Sequence, residues 1–195
     1  MQPDKALNHA ASFLGDRNQI MALAEDYWTV IAHRDATEER VFLGDFREAR
    51  DSGYLSKDLF MRVARWKSRR NTRRYDSNTE AEIRLATATA FRAPDDASAL
   101  GALMRLDGVA LRTASAILHW MRPESFPILD FRVMAALGHI APKSYDVPLY
   151  TRISDQIREL ALRHSLDLRT IDRALWTWDK RRALASRGRC AGKRA

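Results

Sequence analysis

The stretch that decides the fold runs from Leu103 to Leu137 and reads LMRLDGVALRTASAILHWMRPESFPILDFRVMAAL. Its apolar residues recur at helical spacing on both sides of a short turn, residues 106–110, which predicts two helices joined by a hairpin. Gly108 permits a backbone conformation that is closed to residues with a side chain, and Val109 can anchor the turn in a core. The helix after the turn begins with unpaired N–H groups, which favour an anion such as a phosphate.

An acidic residue ends the apolar run that follows the second of these helices. Asp130 comes directly after Phe126-Pro127-Ile128-Leu129 and lies 22 residues beyond Gly108. Two interpretations stay open: Asp130 is the N-cap of a helix over 131–137, or its carboxylate takes part in chemistry. They are compatible, because a capping hydrogen bond also fixes the position of the carboxylate.

Positive charge is concentrated in two segments of a chain whose formal net charge is +8. The first basic segment, Arg62–Arg74, and the second basic segment, Lys180–Arg194, each hold seven Lys or Arg residues and no acid. The rest of the chain has a balance of −6. Arginine predominates in both, which suits bidentate contact with phosphate oxygens. A nucleic acid is the favoured partner of the first segment, with a solvated charged face as the alternative; for the second, the two are equally weighted.

Helical periodicity extends over nearly the whole chain, and no stretch has the alternation of a strand. We therefore predict an all-α protein. Residues 1–185 are expected to form one compact unit, or two closely packed helical lobes, before a basic disordered tail at 186–195. The last two helices are predicted over 151–164 and 170–185. The residues expected to start or end helices are Asp16, the pair Asp35 and Glu38, Gly53, Ser56, the pair Ser77 and Glu80, and Asp95 or Asp96.

Composition excludes several classes of protein. The single cysteine, Cys190, excludes an intramolecular disulfide framework, a cysteine-only zinc site and a four-cysteine iron–sulfur cluster. The segment from Met1 to Phe13 lacks the pattern of a signal peptide, and no run approaches the roughly 18 apolar residues of a membrane span. We expect a cytoplasmic protein without membrane contact, associated with the nucleoid if it is bacterial.

The quoted stretch resembles the helix-hairpin-helix motif and following aspartate of the DNA glycosylase superfamily that includes endonuclease III. Gly108-Val109 matches the start of the family's Gly-Val-Gly hairpin, and Thr113-Ala114 matches a Thr-Ala pair in its second helix. Asp130 and Val133 match the catalytic aspartate and the apolar residue beyond it, and the separation of Gly108 from Asp130 also agrees. The resemblance covers this stretch alone, and the helical remainder of the chain is compatible with it.

The resemblance implies a helix-hairpin-helix glycosylase-like fold and a DNA duplex with a flipped base as partner. It further implies hydrolysis of an N-glycosidic bond, with Asp130 as the catalytic carboxylate. Trp66 lies within the first basic segment and is expected either to stack on a base, or wedge into the duplex, or to belong to the core. The residues expected to contact DNA are Gly108, Val109, Ala110, Arg112 and Thr113 of the hairpin, with Arg65, Trp66, Lys67, Arg69, Arg70 and Arg73 of the first basic segment.

Three departures from the family pattern refine this expectation. Ala110 stands where the family has its second hairpin glycine, and an alanine held at positive φ would cost about 1 kcal/mol. Arg112 replaces the lysine nucleophile of bifunctional members and cannot form a Schiff base, so a monofunctional enzyme is expected. The iron–sulfur cysteines of some relatives are missing. We expect no cofactor and no metal site, while the resemblance leaves room for a monovalent cation at the hairpin backbone.

Two other functions are compatible with the same residues. The fold could bind DNA without catalysis, in which case Asp130 is only a helix cap. Alternatively, the helices could form a partner-binding protein whose basic segments contact acidic protein or RNA, with weak affinity for duplex DNA.

Overall fold

The computed structural model describes residues 13–191, and this range contains helices and no β-strand, as the sequence predicts. A short 3-10 helix, Arg69–Asn71, precedes α4. The α-helices are α1 (Arg17–Val30), α2 (His33–Ser52), α3 (Lys57–Lys67), α4 (Thr72–Asp76), α5 (Glu80–Arg92), α6 (Asp96–Leu103), α7 (Leu111–Met121), α8 (Phe131–Ala136), α9 (Val147–His164) and α10 (Leu168–Ala191).

The chain divides into two compact units. The central unit consists of Ala32–Leu129 and Ser144–Asp155. The terminal unit consists of the described residues up to Ile31, the segment Asp130–Lys143, and the chain from Gln156 onward. The helix α9 contributes its first half to the central unit and its second half to the terminal unit.

In the terminal unit, α10 packs along α1 and α8. The rings of Tyr27 and Trp176 meet edge-to-face, with their centroids 5.3 Å apart. The buried carboxylate of Asp179 accepts hydrogen bonds from Arg132 at 2.8 Å and Arg182 at 3.1 Å. Both aromatic packing and a paired buried charge therefore join α8 and α1 to the long C-terminal helix.

In the central unit, aromatic side chains from three helices form one cluster. Phe42 and Phe46 of α2 are fully buried, and both rings contact the ring of Trp120 from α7. Trp66 of α3 contributes an edge-to-face contact with Phe42, at a centroid distance of 6.0 Å. This cluster holds α7, and with it the hairpin that precedes α7, against the rest of the unit.

Four of the predicted helix boundaries are confirmed. The side chains of Asp16, Ser56 and Asp95 accept hydrogen bonds from backbone amides at the starts of α1, α3 and α6, respectively. Gly53 ends α2 in the left-handed conformation, with φ at 76°. These signals are local, because each involves side chains and amides within a few residues of one another.

Two predicted capping boxes are wrong, because tertiary contacts take the side chains. The helix α2 starts at His33 rather than after Asp35, and the Asp35 carboxylate instead accepts a 2.6 Å hydrogen bond from Arg69. The box that opens α5 is formed by Thr79 and Glu82. The hydroxyl of Ser77 donates to a backbone carbonyl and to a carboxylate at the hairpin, so it does not cap α5.

The C-terminal helix extends beyond the predicted boundary at 185. Residues 186–191, predicted to be disordered, have a helical backbone within α10, and 192–195 lie outside the described residues. The expectation about a signal peptide concerns residues 1–13, nearly all of which also lie outside them. No helix within 13–191 has the length and apolar character needed to cross a membrane.

Candidate nucleic-acid interface

The predicted hairpin is present as a turn between α6 and α7. The amide of Val109 donates to the carbonyl of Leu106 at 3.1 Å, which closes the turn. Gly108 has φ at 79°, and a Cβ atom added there would lie only 2.7 Å from the Cβ of Arg74. Both the backbone conformation and the available space therefore require glycine at this position.

Two asparagines hold the hairpin from outside. The amide of Asp107 donates to Oδ1 of Asn78 at 2.7 Å, and Nδ2 of Asn78 donates to the carbonyl of Asp107 at 3.1 Å. Nδ2 of Asn71 donates to the carbonyl of Gly108 at 3.0 Å. The first basic segment therefore contacts the turn directly through Asn71, and Asn78 adds a second contact just beyond that segment. Sequence reasoning missed both asparagines, because the contacts span 29 and 37 residues.

The carboxylate of the hairpin is neutralised by an arginine. Two guanidinium nitrogens of Arg74 donate to Oδ1 of Asp107, at 2.9 and 2.7 Å, and Ser77 donates to its Oδ2. These hydrogen bonds, chiefly those from Arg74, hold the pKa of Asp107 below its ordinary value. The same pairing raises the pKa of Arg74. An anion approaching the turn therefore meets an ion pair rather than an isolated negative charge.

The start of α7 adopts a different conformation from the one the sequence suggests. Ala110 has φ at −103° and ψ at 172°, which is extended backbone, so the expectation of strain at positive φ is wrong. Ala110 is exposed, and no side chain in the described part of the chain caps this helix start. Helix N-termini carry partial positive charge. This end of α7 therefore has the character of an anion site.

Three of the hairpin residues expected at DNA are buried: Gly108, which lies next to Arg74 and Tyr75, and the side chains of Val109 and Thr113. Val109 is 6% exposed, and Thr113 is 3% exposed with its hydroxyl 3.2 Å from that of Tyr75. These side chains support the turn from inside and cannot contact a duplex. Arg112 is half-buried, and its guanidinium lies over the ring of Tyr145 at 5.6 Å.

The cations of the first basic segment differ in what they contact. Arg62 bonds to Glu38 and Asp45, the latter at 2.6 Å, and Arg69 bonds to Asp35. Lys67 is half-buried. The arginines that are exposed and form no ion pair with any residue in 13–191 are Arg65, Arg70 and Arg73.

The aromatic residue of the first basic segment packs into the protein. Trp66 is half-buried, and its ring meets those of Phe42 and Trp120 edge-to-face at 6.0 Å. These contacts favour the core interpretation of Trp66 over a base-stacking role.

One exposed cation beside the hairpin was missed by sequence reasoning. Arg105 directly precedes the turn, is exposed, and forms no ion pair with the residues the structure describes. It borders a cavity of about 250 Å³ in the central unit, together with Asn78 and Leu106. The position of Arg105 three residues before Gly108 could have indicated a binding role, although a lone arginine outside a basic run is a weak signal.

The candidate catalytic residue belongs to the terminal unit. Asp130 is the N-cap of α8, and its Oδ1 accepts a 2.9 Å hydrogen bond from the amide of Arg132, so the predicted capping role is confirmed. Its side chain is half-buried, and the following Phe131 is 42% exposed. The carboxylate is therefore held in place by the local backbone.

A search for metal-binding groups and comparisons with known proteins gave no further indication of function. Within residues 13–191, no three His, Cys, Asp or Glu side chains are grouped so that they could hold a metal ion. No protein-family model, curated protein or solved structure matches the chain. The resemblance to the glycosylase superfamily rests on the motif residues alone.

Proposed function

We propose that this protein binds duplex DNA and removes a damaged or modified base by hydrolysing its N-glycosidic bond. The observation that supports the proposal most is the helix start at Ala110, which has no side-chain cap and follows a turn held by a basic segment. Asp130 is the proposed catalytic carboxylate.

DNA binding follows from charge and from backbone donors at the hairpin. A phosphate at the start of α7 would accept hydrogen bonds from amides and interact favourably with the helix dipole. Arg70 and Arg73 are chain neighbours of Asn71 and Arg74, which contact the turn directly. Arg105 adds a cation before the turn. Such phosphate contacts release counterions and give affinity without reading sequence.

Base removal requires a carboxylate beside the sugar. Departure of the base leaves positive charge on the sugar, as in glycoside hydrolysis. A fixed carboxylate can stabilise that charge and take a proton from the attacking water. The capping hydrogen bond from the amide of Arg132 fixes Asp130 for this task. Water adds to the sugar carbon as the bond to the base nitrogen breaks, and the base departs with a proton.

The product is expected to be an intact strand with an abasic site. Arg112 stays protonated and cannot form the covalent imine that precedes strand cleavage. Its guanidinium over the Tyr145 ring is compatible with a binding role.

The main alternative is a DNA-binding protein without catalysis. The observation that favours it is that Asp130 already has a structural task as the cap of α8. In that case, the hairpin and the exposed arginines retain their binding role, and no base is released.

The substitution Asp130→Asn separates the two functions. Asparagine also caps helices, so the variant is expected to fold and to bind a duplex as the wild type does. Base release from duplexes carrying alkylated, oxidised, deaminated or hypermodified bases should fall by about 100-fold or more. Release by the variant at the wild-type rate would contradict catalysis by Asp130. A wild-type protein that binds every duplex and releases no base would establish the alternative.

A further inference from the structure

A cavity of about 250 Å³ in the central unit lies beside the hairpin. Its lining residues on α5 are three or four positions apart and therefore share one face of that helix: Glu82, Leu85, Ala86 and Thr89. The other lining residues come from the segment before α5, the end of α6 and the start of the hairpin: Asn78, Ala102, Arg105 and Leu106. Drug-sized ligands occupy sites of about 300–1,000 Å³, so this cavity suits a smaller molecule.

The apolar part of the lining can hold a hydrocarbon group. Ala102 and Leu106 are each 5% exposed, and Ala86 is half-buried. Leu85, in contrast, is 72% exposed, because the core face of α5 is the one that carries Ile83. A molecule in the cavity would cover apolar surface that the fold leaves in solvent, which favours binding.

The uncharged polar side chains of the lining already have partners within the protein. Asn78 exchanges two hydrogen bonds with the backbone of Asp107. The hydroxyl of Thr89 donates to the carbonyl of Leu85 at 2.8 Å. The choice of ligand therefore depends chiefly on the charged residues of the lining.

Two described residues of the lining are charged, and their charges are opposite. Glu82 accepts hydrogen bonds from the amide and the hydroxyl of Thr79 through Oε2, at 2.7 and 2.8 Å, so Oε1 takes part in neither. These bonds, chiefly the one from the amide, hold the pKa of Glu82 below its ordinary value, so it is ionised at neutral pH. Arg105 forms no ion pair with Glu82 or with any other residue that the structure describes. A ligand with both an ammonium and a carboxylate would give each of them a partner.

We propose that this cavity binds a zwitterion with a small apolar side chain, that is, an apolar α-amino acid such as leucine. The ligand carboxylate accepts hydrogen bonds from the guanidinium of Arg105, and its ammonium donates to Oε1 of Glu82. The hydrocarbon side chain covers Leu85. The inference goes beyond base removal, which assigns no role to Glu82 or to the cavity and shares only Arg105 with it.

Titration of the ¹⁵N-labelled full chain with L-leucine, in the absence of DNA, tests the proposal. The backbone amide signals of Ala86 and Ala102 should shift and saturate, with a dissociation constant of about 1 mM or below. The analogue 4-methylpentanoate lacks the ammonium, and leucinamide lacks the carboxylate. Both should bind about fivefold more weakly or worse, because each leaves one charged residue of the cavity without a partner.

Two variants and a matched control locate the binding. Arg105→Gln and Glu82→Gln should each raise the dissociation constant for leucine about tenfold. Glutamine at the position of Glu82 also completes a capping box, so α5 should keep its start. The control is Arg92→Gln, which removes an exposed arginine of α5 that does not line the cavity. It should leave the affinity for leucine unchanged.

Three results would overturn the proposal. The first is the absence of a saturable shift at leucine concentrations up to about 20 mM. The second is equal affinity for leucine and 4-methylpentanoate, which would show that Glu82 contributes nothing. The third is an equal loss of affinity in Arg92→Gln and Arg105→Gln, which would place the binding elsewhere. All of these measurements are made without DNA, so the proposed function stands or fails separately.

Discussion

The two basic segments have the same number of cations and use them differently. In the first, Arg62–Arg74, three arginines are exposed and form no ion pair within the described residues. In the second, Lys180–Arg194, the described cations have partners in the terminal unit. Arg181 pairs with Asp26, Arg182 pairs with Asp179, and Lys180 lies over the ring of Trp176.

This difference shows that a count of charges does not identify a binding surface. Cations paired with carboxylates and aromatic rings already have part of their field compensated, and a phosphate must compete for them. A phosphate that binds exposed cations without such partners releases counterions from the nucleic acid, and no contact within the protein has to break. In the proposed function, nucleic-acid binding therefore falls to the first segment, whereas the described cations of the second contact residues of the terminal unit.

The largest expected effect is a difference between the two basic segments in how they contribute to the salt dependence of DNA affinity. Replacing Arg65, Arg70 and Arg73 with Gln should lower the slope of log affinity against log salt by about 2.7, which is roughly 500-fold in affinity at 0.1 M salt. The matched control replaces Lys180, Arg181 and Arg182 with Gln and changes net charge equally. Fluorescence anisotropy with a labelled duplex over a salt series measures both. Equal losses in the two triple variants would eliminate the distinction between the segments.

The next effect concerns stability and not binding. Asp179→Asn removes the buried carboxylate that pairs with Arg132 and Arg182. Leaving the partly buried Arg132 without its partner should cost about 3 kcal/mol in the free energy of unfolding, measured by urea denaturation. The salt slope for DNA should stay unchanged at temperatures where the variant is folded. A stability equal to that of the wild type would show that these cations do not support the fold.

The smallest effect is a pH dependence at the hairpin. Because Arg74 lowers the pKa of Asp107 below 3.8 in the folded protein, this carboxylate adds stability above that value. The contribution is lost as pH falls from about 3.8 through the lowered pKa, since the unfolded chain takes up the proton first. The unfolding free energy of the wild type should therefore fall more steeply in this range than that of Asp107→Asn. Parallel curves for the two proteins would contradict this role of the Arg74 pair.

Helix caps that depend only on neighbouring residues could be predicted from the sequence, whereas side-chain roles that depend on distant contacts could not. Asp16, Ser56 and Asp95 cap helices as the sequence indicates, because a cap needs only amides two or three residues away. Ser77 has the same chemistry and is diverted to the hairpin by Asp107, thirty positions along the chain. Propensity cannot distinguish these cases without the tertiary partner.

The candidate site shows the same limit. Gly108 was predictable, because a tight turn between two helical patterns needs positive φ. Asn78 was not, since its role depends on both backbone groups of Asp107 meeting one side chain. The identity of Trp66 as an aromatic among arginines suggested a base contact, whereas packing with Phe42 favours the core. The residue type shows which contacts a side chain can make, and the packing of the folded chain decides which of them it does make.

The alanine at position 110 implies a trade-off between thermal robustness and ligand affinity. A serine or aspartate there would stabilise the first turn of α7 by about 1 kcal/mol, yet its oxygen would occupy the donors that a phosphate would otherwise meet. If the proposed function holds, selection for heat resistance alone should therefore favour mutants at this position with weaker DNA binding.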